Sequence, residues 1–95
     1  MAGVRISDSA WTEVTSPLGM TDGDTYAFQI HGNLDQRIYA HDVTDGSAPT
    51  STEDAQVLFA QDERPLEQLE YTKRAGVTWW LRVDQGSARI AAWGV

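Results

Sequence analysis

The sequence predicts an all-β protein, a small antiparallel β-sandwich or barrel of about seven short strands. Apolar residues alternate with polar ones, which is the spacing of a half-buried strand and not of a helix. Turn-forming residues recur at intervals of roughly 8 to 12 residues, which is typical of short strands. The 95 residues are enough for a single domain, 1–95, in which residues 1–9 are a candidate flexible N-terminal arm.

The predicted strands follow from this alternation and from the turns that bound it. One strand is predicted over 25–31, and a short loop returns the chain into a second strand over 37–43. We predict that these two strands pair as a hairpin, with Ile30 opposite Ile38. Further strands are predicted over 10–15, 57–59 and 66–72, and a polar surface loop over 44–54. For the segment 66–72 a strand is preferred to the alternative, a short helix from Pro65 to Tyr71.

The end of the chain carries the clearest predicted hairpin. Its turn, Asp84-Gln85-Gly86-Ser87, has glycine at the second central position, which suits a two-residue hairpin loop. This register directs Trp79 and its apolar neighbours toward a core. Because successive strand residues point to opposite faces, the other face displays Trp80, Arg82, Arg89 and Trp93.

We identify Trp80, Arg82, Arg89 and Trp93 as the candidate partner interface. Tryptophan and arginine are enriched at interaction hot spots. Two arginines that face each other across a hairpin repel unless acidic groups lie between them, and an acidic partner surface would supply those groups. In the alternative interpretation a loop or the second sheet covers Trp80, and the arginines extend to the rim.

Charge is distributed unevenly along the chain. Fourteen acidic and seven basic residues give a net charge of -7, which repels a phosphate backbone, so we expect no nucleic-acid partner. Thirteen of the acids but only three of the bases lie in residues 1–70, whereas residues 71–95 carry one acid and four bases. The asymmetry favours head-to-tail or partner contacts.

The sequence contains no pattern typical of a catalytic, metal or cofactor site. Its Asp-rich turns lack the ligand spacing of a calcium loop. His31 and His41 would lie about 13 Å apart in the predicted hairpin, too far to share a metal ion. We therefore expect a protein that is not an enzyme and has no metal and no cofactor. With no cysteine and no long apolar run, it should also lack disulfides and a membrane span.

Short motifs follow one another along most of the chain: Trp11-Thr12, the run from Leu18 to Gln29, Tyr39-Ala40, a polar loop with Pro49, and Trp79-Trp80-Leu81-Arg82-Val83. In this order they resemble small β-rich virion structural proteins of tailed bacteriophages. The resemblance implies a capsid decoration or cement protein that binds in many copies to the lattice of the major capsid protein, or to another virion protein, and stabilises the head. It also implies a homo-oligomer, with a trimer favoured, that is made in the host cytoplasm and located in the virion.

Two other functions are consistent with the same sequence. The first is a structural component of the phage tail or baseplate. The second is a carbohydrate-binding β-sandwich, in which exposed Trp80 and Trp93 stack on sugar rings while Asn33 and Gln85 bind hydroxyl groups.

Overall fold

The computed structural model describes residues 3–32, 36–44, 46–50, 55–59 and 69–94. Within these ranges all regular structure is β-strand and no helix occurs. The strands are β1 (Val4–Ser7), β2 (Thr12–Glu13), β3 (Thr25–His31), β4 (Arg37–Val43), β5 (Gln56–Phe59), β6 (Leu69–Thr72), β7 (Thr78–Val83) and β8 (Ser87–Gly94).

The eight strands form two antiparallel sheets that enclose one core. Sheet A has the strand order β1-β8-β3-β6, and sheet B has the order β2-β7-β4-β5. This order, with two four-stranded sheets, is that of a jelly roll. The predicted all-β fold is confirmed, and of the two architectures expected from the sequence the protein adopts the sandwich.

Both predicted hairpins are wrong, because the strands that follow one another in the chain belong to different sheets. Ile30 in β3 lies opposite Ile90 in β8 and not opposite Ile38. Ile38 in β4 instead lies opposite Val83 in β7. Alternation places the same residues inward whether two strands pair side by side or face each other across the core. The pattern of apolar residues therefore predicted the inward faces correctly but not the neighbours.

The core fills the space between the sheets with aliphatic and aromatic side chains. Trp79 is 4% exposed and reaches across from sheet B to sheet A. Its ring stacks on Tyr71 with centroids 4.0 Å apart, and it meets the ring of Phe28 edge-on at 5.0 Å. The inward orientation predicted for Trp79 is confirmed. The side chains that are fully buried around it include Ile6, Val14, Ile30, Ile38, Leu81 and Ile90.

Residues 4–7, which fall in the segment singled out as a candidate flexible arm, form the edge strand β1. β1 runs antiparallel to β8, with Arg5 opposite Arg89. Ile6 points inward and is completely buried. The segment predicted as a strand over 10–15 is regular only at β2, and the start of the alternative helix at Pro65 lies outside the described residues.

Candidate interaction surface

The four residues predicted to form one interface lie on opposite sides of the sandwich. Trp80 and Arg82 project from β7 onto the outer face of sheet B, whereas Arg89 and Trp93 project from β8 onto the outer face of sheet A. The single shared face is wrong because β7 and β8 do not pair. The outward direction of all four side chains, in contrast, agrees with the predicted alternation.

The outer face of sheet B carries four ring side chains and one guanidinium group, which together we call the aromatic face: Trp11, Tyr39, His41, Trp80 and Arg82. His41 lies directly opposite Trp80 in the pairing of β4 with β7, and Tyr39 lies opposite Arg82. The ring of Trp11 meets His41 edge-on, with centroids 6.3 Å apart. All five side chains are half-buried. Among the described residues no second sheet covers this surface, because sheet A packs on the other side of sheet B.

Trp80 is held against this surface by its own strand. Its indole Nε1–H donates a hydrogen bond of 2.9 Å to the Oγ1 of Thr78, which lies two residues away on the same face. The only hydrogen-bond donor of the indole is thereby used. What Trp80 offers to a partner is therefore the apolar ring itself.

Arg82 is fixed at the end of the aromatic face where β1 connects to β2. Its Nε and Nη2 both donate to the backbone carbonyl of Asp8, at 3.1 and 2.8 Å. The carboxylate of Asp8 in turn accepts a hydrogen bond from the backbone N–H of Gly86. Because these bonds already order the guanidinium, a partner that contacts it loses less side-chain entropy on binding.

Trp11, Tyr39 and His41 belong to the aromatic face, and the sequence analysis did not assign them to an interface. Tyr39 and His41 alternate with buried residues in β4, so the pattern does place them outward. The missing information was the pairing of β4 with β7, which brings both residues beside Trp80 and Arg82. No local motif encodes a pairing between strands so far apart in the chain.

The outer face of sheet A has a different character, and we call it the basic face. Arg5, Arg89 and His31 form a row across β1, β8 and β3. Arg5 makes only a long contact of 3.5 Å to a serine hydroxyl, and in the described part of the chain neither arginine forms an ion pair. Trp93, 39% exposed, lies on the same face two positions further along the strand from Ala91.

A pocket of about 320 Å³ lies between the edge of β4 and strand β6. The carboxylate of Asp42 accepts a hydrogen bond of 2.9 Å from the hydroxyl of Tyr71 and forms an ion pair with Arg74 at 3.0 Å. Burial, and then the hydrogen bond and charge of Asp42, raise the pKa of Tyr71 well above its ordinary range. Each of the two carboxylate oxygens of Asp42 thus has one partner from the protein. The lining residues are Ala40, His41, Asp42, Gln56, Tyr71 and Trp79.

The carbohydrate site predicted from the sequence does not form as proposed. Trp80 and Trp93 lie on opposite faces and cannot contact one sugar. Gln85 lies in the turn between β7 and β8, and Asn33 lies outside the described residues. The ranges that the structure describes contain no cluster of three or more side chains suited to hold a metal ion, and none of their segments is a helix able to cross a bilayer.

Comparison with known proteins gives no relative from which a function could be transferred. No protein-family model, no curated protein and no solved structure matches the chain. The fold and its two outer faces are therefore the observations that bear on function.

Proposed function

We propose that this protein is a non-enzymatic structural protein of a bacteriophage virion, which binds in many copies to the capsid lattice and stabilises the head as a decoration or cement protein. The aromatic face is its contact surface. The observation that carries the proposal is the gathering of Trp11, Tyr39, Trp80 and Arg82 on one open sheet. Tryptophan, tyrosine and arginine are the side chains that most often dominate the binding energy of protein interfaces.

The shape of the aromatic face favours a protein partner. Small-molecule sites are concave and bury most of their ligand, whereas these side chains lie on the outer surface of a sheet. Val57, which lies opposite Tyr39 and is 45% exposed, extends the apolar area toward the edge of the sheet. Such a surface adds buried area when it lies across neighbouring subunits, which is how a cement protein strengthens a lattice.

The identity of the partner is supported by two weaker arguments. The motifs of the chain resemble those of tailed-phage virion proteins, and jelly rolls occur in viral capsid domains. The same fold also serves in lectin domains, and it is the residues on the outer face of sheet B that favour a protein partner. A tail or baseplate component is a variant of the same proposal, with a different virion protein as partner.

The proposal is tested by co-sedimentation with purified tailed-phage capsids that lack a decoration protein. We expect saturable binding at a fixed stoichiometry per capsid subunit. Trp80→Ala should weaken binding at least about tenfold, because a hot-spot tryptophan contributes roughly 2 kcal/mol or more. Trp93→Ala is the matched control, because it removes an exposed indole from the opposite face and should leave the affinity unchanged.

The proposal would be contradicted if the protein did not bind to capsids, or if Trp80→Ala and Trp93→Ala weakened the binding equally. Purified tails in the same assay distinguish the tail component: saturable binding to tails alone would assign the aromatic face to that partner.

Carbohydrate binding is the second candidate, and the aromatic face gives it a specific basis. Trp11 and Trp80 present indole rings on one side of the molecule, where a sugar ring could stack. Titration with a panel of monosaccharides and oligosaccharides, followed by tryptophan fluorescence, tests this function. Quenching that saturates in the native protein and is lost in Trp80→Ala would favour it over capsid binding.

A further inference from the structure

We propose that the basic face of sheet A binds the same face of a second copy of this chain, so that the protein forms a two-fold symmetric dimer. In this dimer Arg89 of each copy pairs with Glu70 of the other. The inference concerns the face opposite the aromatic face and does not depend on the proposed function.

The row formed by Arg5, Arg89 and His31 carries positive charge that no acidic side chain in the row balances. Arg5 and Arg89 lie directly opposite each other on neighbouring strands, an arrangement in which like charges repel. The stem of Arg89 also lies close over Gly3, where a Cβ atom would approach its Cγ and Cδ to 2.9 Å. The absence of a side chain at Gly3 thus lets Arg89 lie where it faces Arg5. A carboxylate from outside the chain would relieve the repulsion.

Glu70 is the one acidic residue on this outer face in the part of the chain that the structure describes. Glu70 lies opposite Ala27 in β3, whereas Arg89 lies opposite His31 in the same strand. Four residues along a strand and two strands across a sheet separate them by about 17 Å. Glu70 and Arg89 cannot pair within one chain, and Glu70 is exposed with no ion-pair partner among the described residues.

A two-fold axis brings Glu70 of one copy and Arg89 of the other together. Gln29 lies midway between Glu70 and Arg89 on the sheet. An axis that lies in the interface plane, passes over Gln29 and runs perpendicular to the line from Glu70 to Arg89 places Arg89 of each copy over Glu70 of the other. The same rotation moves Arg5 toward the part of β6 that carries Glu70. Facing sheets lie about 10 Å apart, a gap that an arginine and a glutamate bridge together.

The centre of the basic face allows a second sheet to approach. Two of the side chains next to Gln29 on this face are small: Ala27, which is 0% exposed, and Ala91, which is half-buried. Trp93 lies beside them, and the rotation brings it near Ala91 and Gly3 of the other copy, where the aliphatic stem of Arg89 offers the indole an apolar contact. The contact is isologous, because each copy contributes Arg89 to one ion pair and Glu70 to the other.

The molecule is broad enough for such a contact. It measures 32 × 31 × 21 Å, with the sheets parallel to the broad dimensions. A stable interface needs roughly 800 Å² of surface from each partner, which one broad face of this size can supply. The aromatic faces of the two copies remain free on the outside of the dimer.

The test is the mass of the full chain in solution, measured by light scattering and sedimentation equilibrium over a range of protein and salt concentrations. We expect twice the monomer mass of 10.5 kDa, with dissociation favoured by high salt. Arg89→Glu and Glu70→Arg should each raise the dimer dissociation constant at least about tenfold, because each places like charges together twice in the dimer. The double variant with both substitutions should return to within about threefold of the native value.

Arg37→Glu is the control, since it reverses a charge on sheet B and should leave the dimer intact. All of these positions are exposed, and circular dichroism verifies that each variant is folded. A monomer at every concentration overturns the inference, and so does a mass of three chains, the state that the phage resemblance favours. Single variants without effect, or a double variant that does not recover, overturn the pairing of Arg89 with Glu70. None of these results bears on capsid binding, which depends on the aromatic face.

Discussion

Trp79 and Trp80 are neighbours in the chain with opposite environments. Trp79 is buried between the sheets, where it stacks on Tyr71, whereas Trp80 lies on the aromatic face. We expect Trp79→Ala to lower the free energy of unfolding by ~3 to 5 kcal/mol, because it leaves a cavity in the core. Trp80→Ala should cost about 1 kcal/mol or less, since it empties no enclosed site. Urea denaturation of both variants measures the difference, and a reversed order of effects would mean that the register of β7 is shifted by one residue.

Tyr71 gives the protein a dependence on alkaline pH. Its pKa in the folded state is raised above the ordinary value of 10.0, first by burial and then by Asp42, so the folded state holds the phenolic proton more tightly than the unfolded state. This contribution to stability is complete below pH 10 and is lost progressively as the pH rises above it.

Tyr71→Phe isolates that contribution, because it keeps the ring that stacks on Trp79 and removes the ionisable hydroxyl. At pH 7 the variant should be less stable by about 1 kcal/mol, the typical value of one hydrogen bond. Above pH 10 the difference in unfolding free energy between the two proteins should shrink. Urea unfolding of both proteins at pH 7 to 11 measures this difference. Curves that stay parallel over this range would contradict the role assigned to Tyr71.

At the scale of the strands, β1 shows how a segment that resembles an arm can be part of the core. Only Val4 and Ile6 point inward from it, which is too little alternation to predict a strand from sequence. Ile6→Ala should nevertheless cost ~2 to 5 kcal/mol, because its side chain is completely buried. Arg5→Ala, on the outer side of the same strand, is the control and should cost little. Thermal or chemical unfolding that is unchanged by Ile6→Ala would indicate that β1 is dispensable.

Most of the strands, β1 excepted, could be predicted from the sequence, whereas which strands pair could not. The bounds of β3 and β4 were predicted to the residue, as was the inward side of β7. These follow from local alternation and turns. The pairing of β7 with β4 and of β8 with β3 depends on long-range packing. For the same reason the sequence identified Trp80 and Arg82 but grouped them with Arg89 and Trp93, which lie on the other sheet.

For the whole molecule, the separation of the two faces means that they act independently. Trp80 and Trp93 are on opposite sides of a sandwich that is 21 Å across in its thinnest direction. Residues this far apart usually contribute additively. The double variant Trp80→Ala with Trp93→Ala should therefore lose the sum of the two single losses in unfolding free energy, within about 0.5 kcal/mol. A coupling energy larger than this would indicate that the two indoles lie in one cluster, as the sequence predicts.

The strand order also determines how the chain can fold in time. Of the described strands that follow each other in the chain, only β4 and β5 are paired, for example at Tyr39 and Val57. Every other pairing among the described strands requires distant parts of the chain to meet, and the pairing of β1 with β8 joins the most distant ones. Refolding followed by stopped-flow fluorescence should accordingly take milliseconds to seconds or longer. Arg5 joins the basic face only when β1 has reached β8, so the surface through which two copies are proposed to meet is complete only in a chain whose two ends have come together.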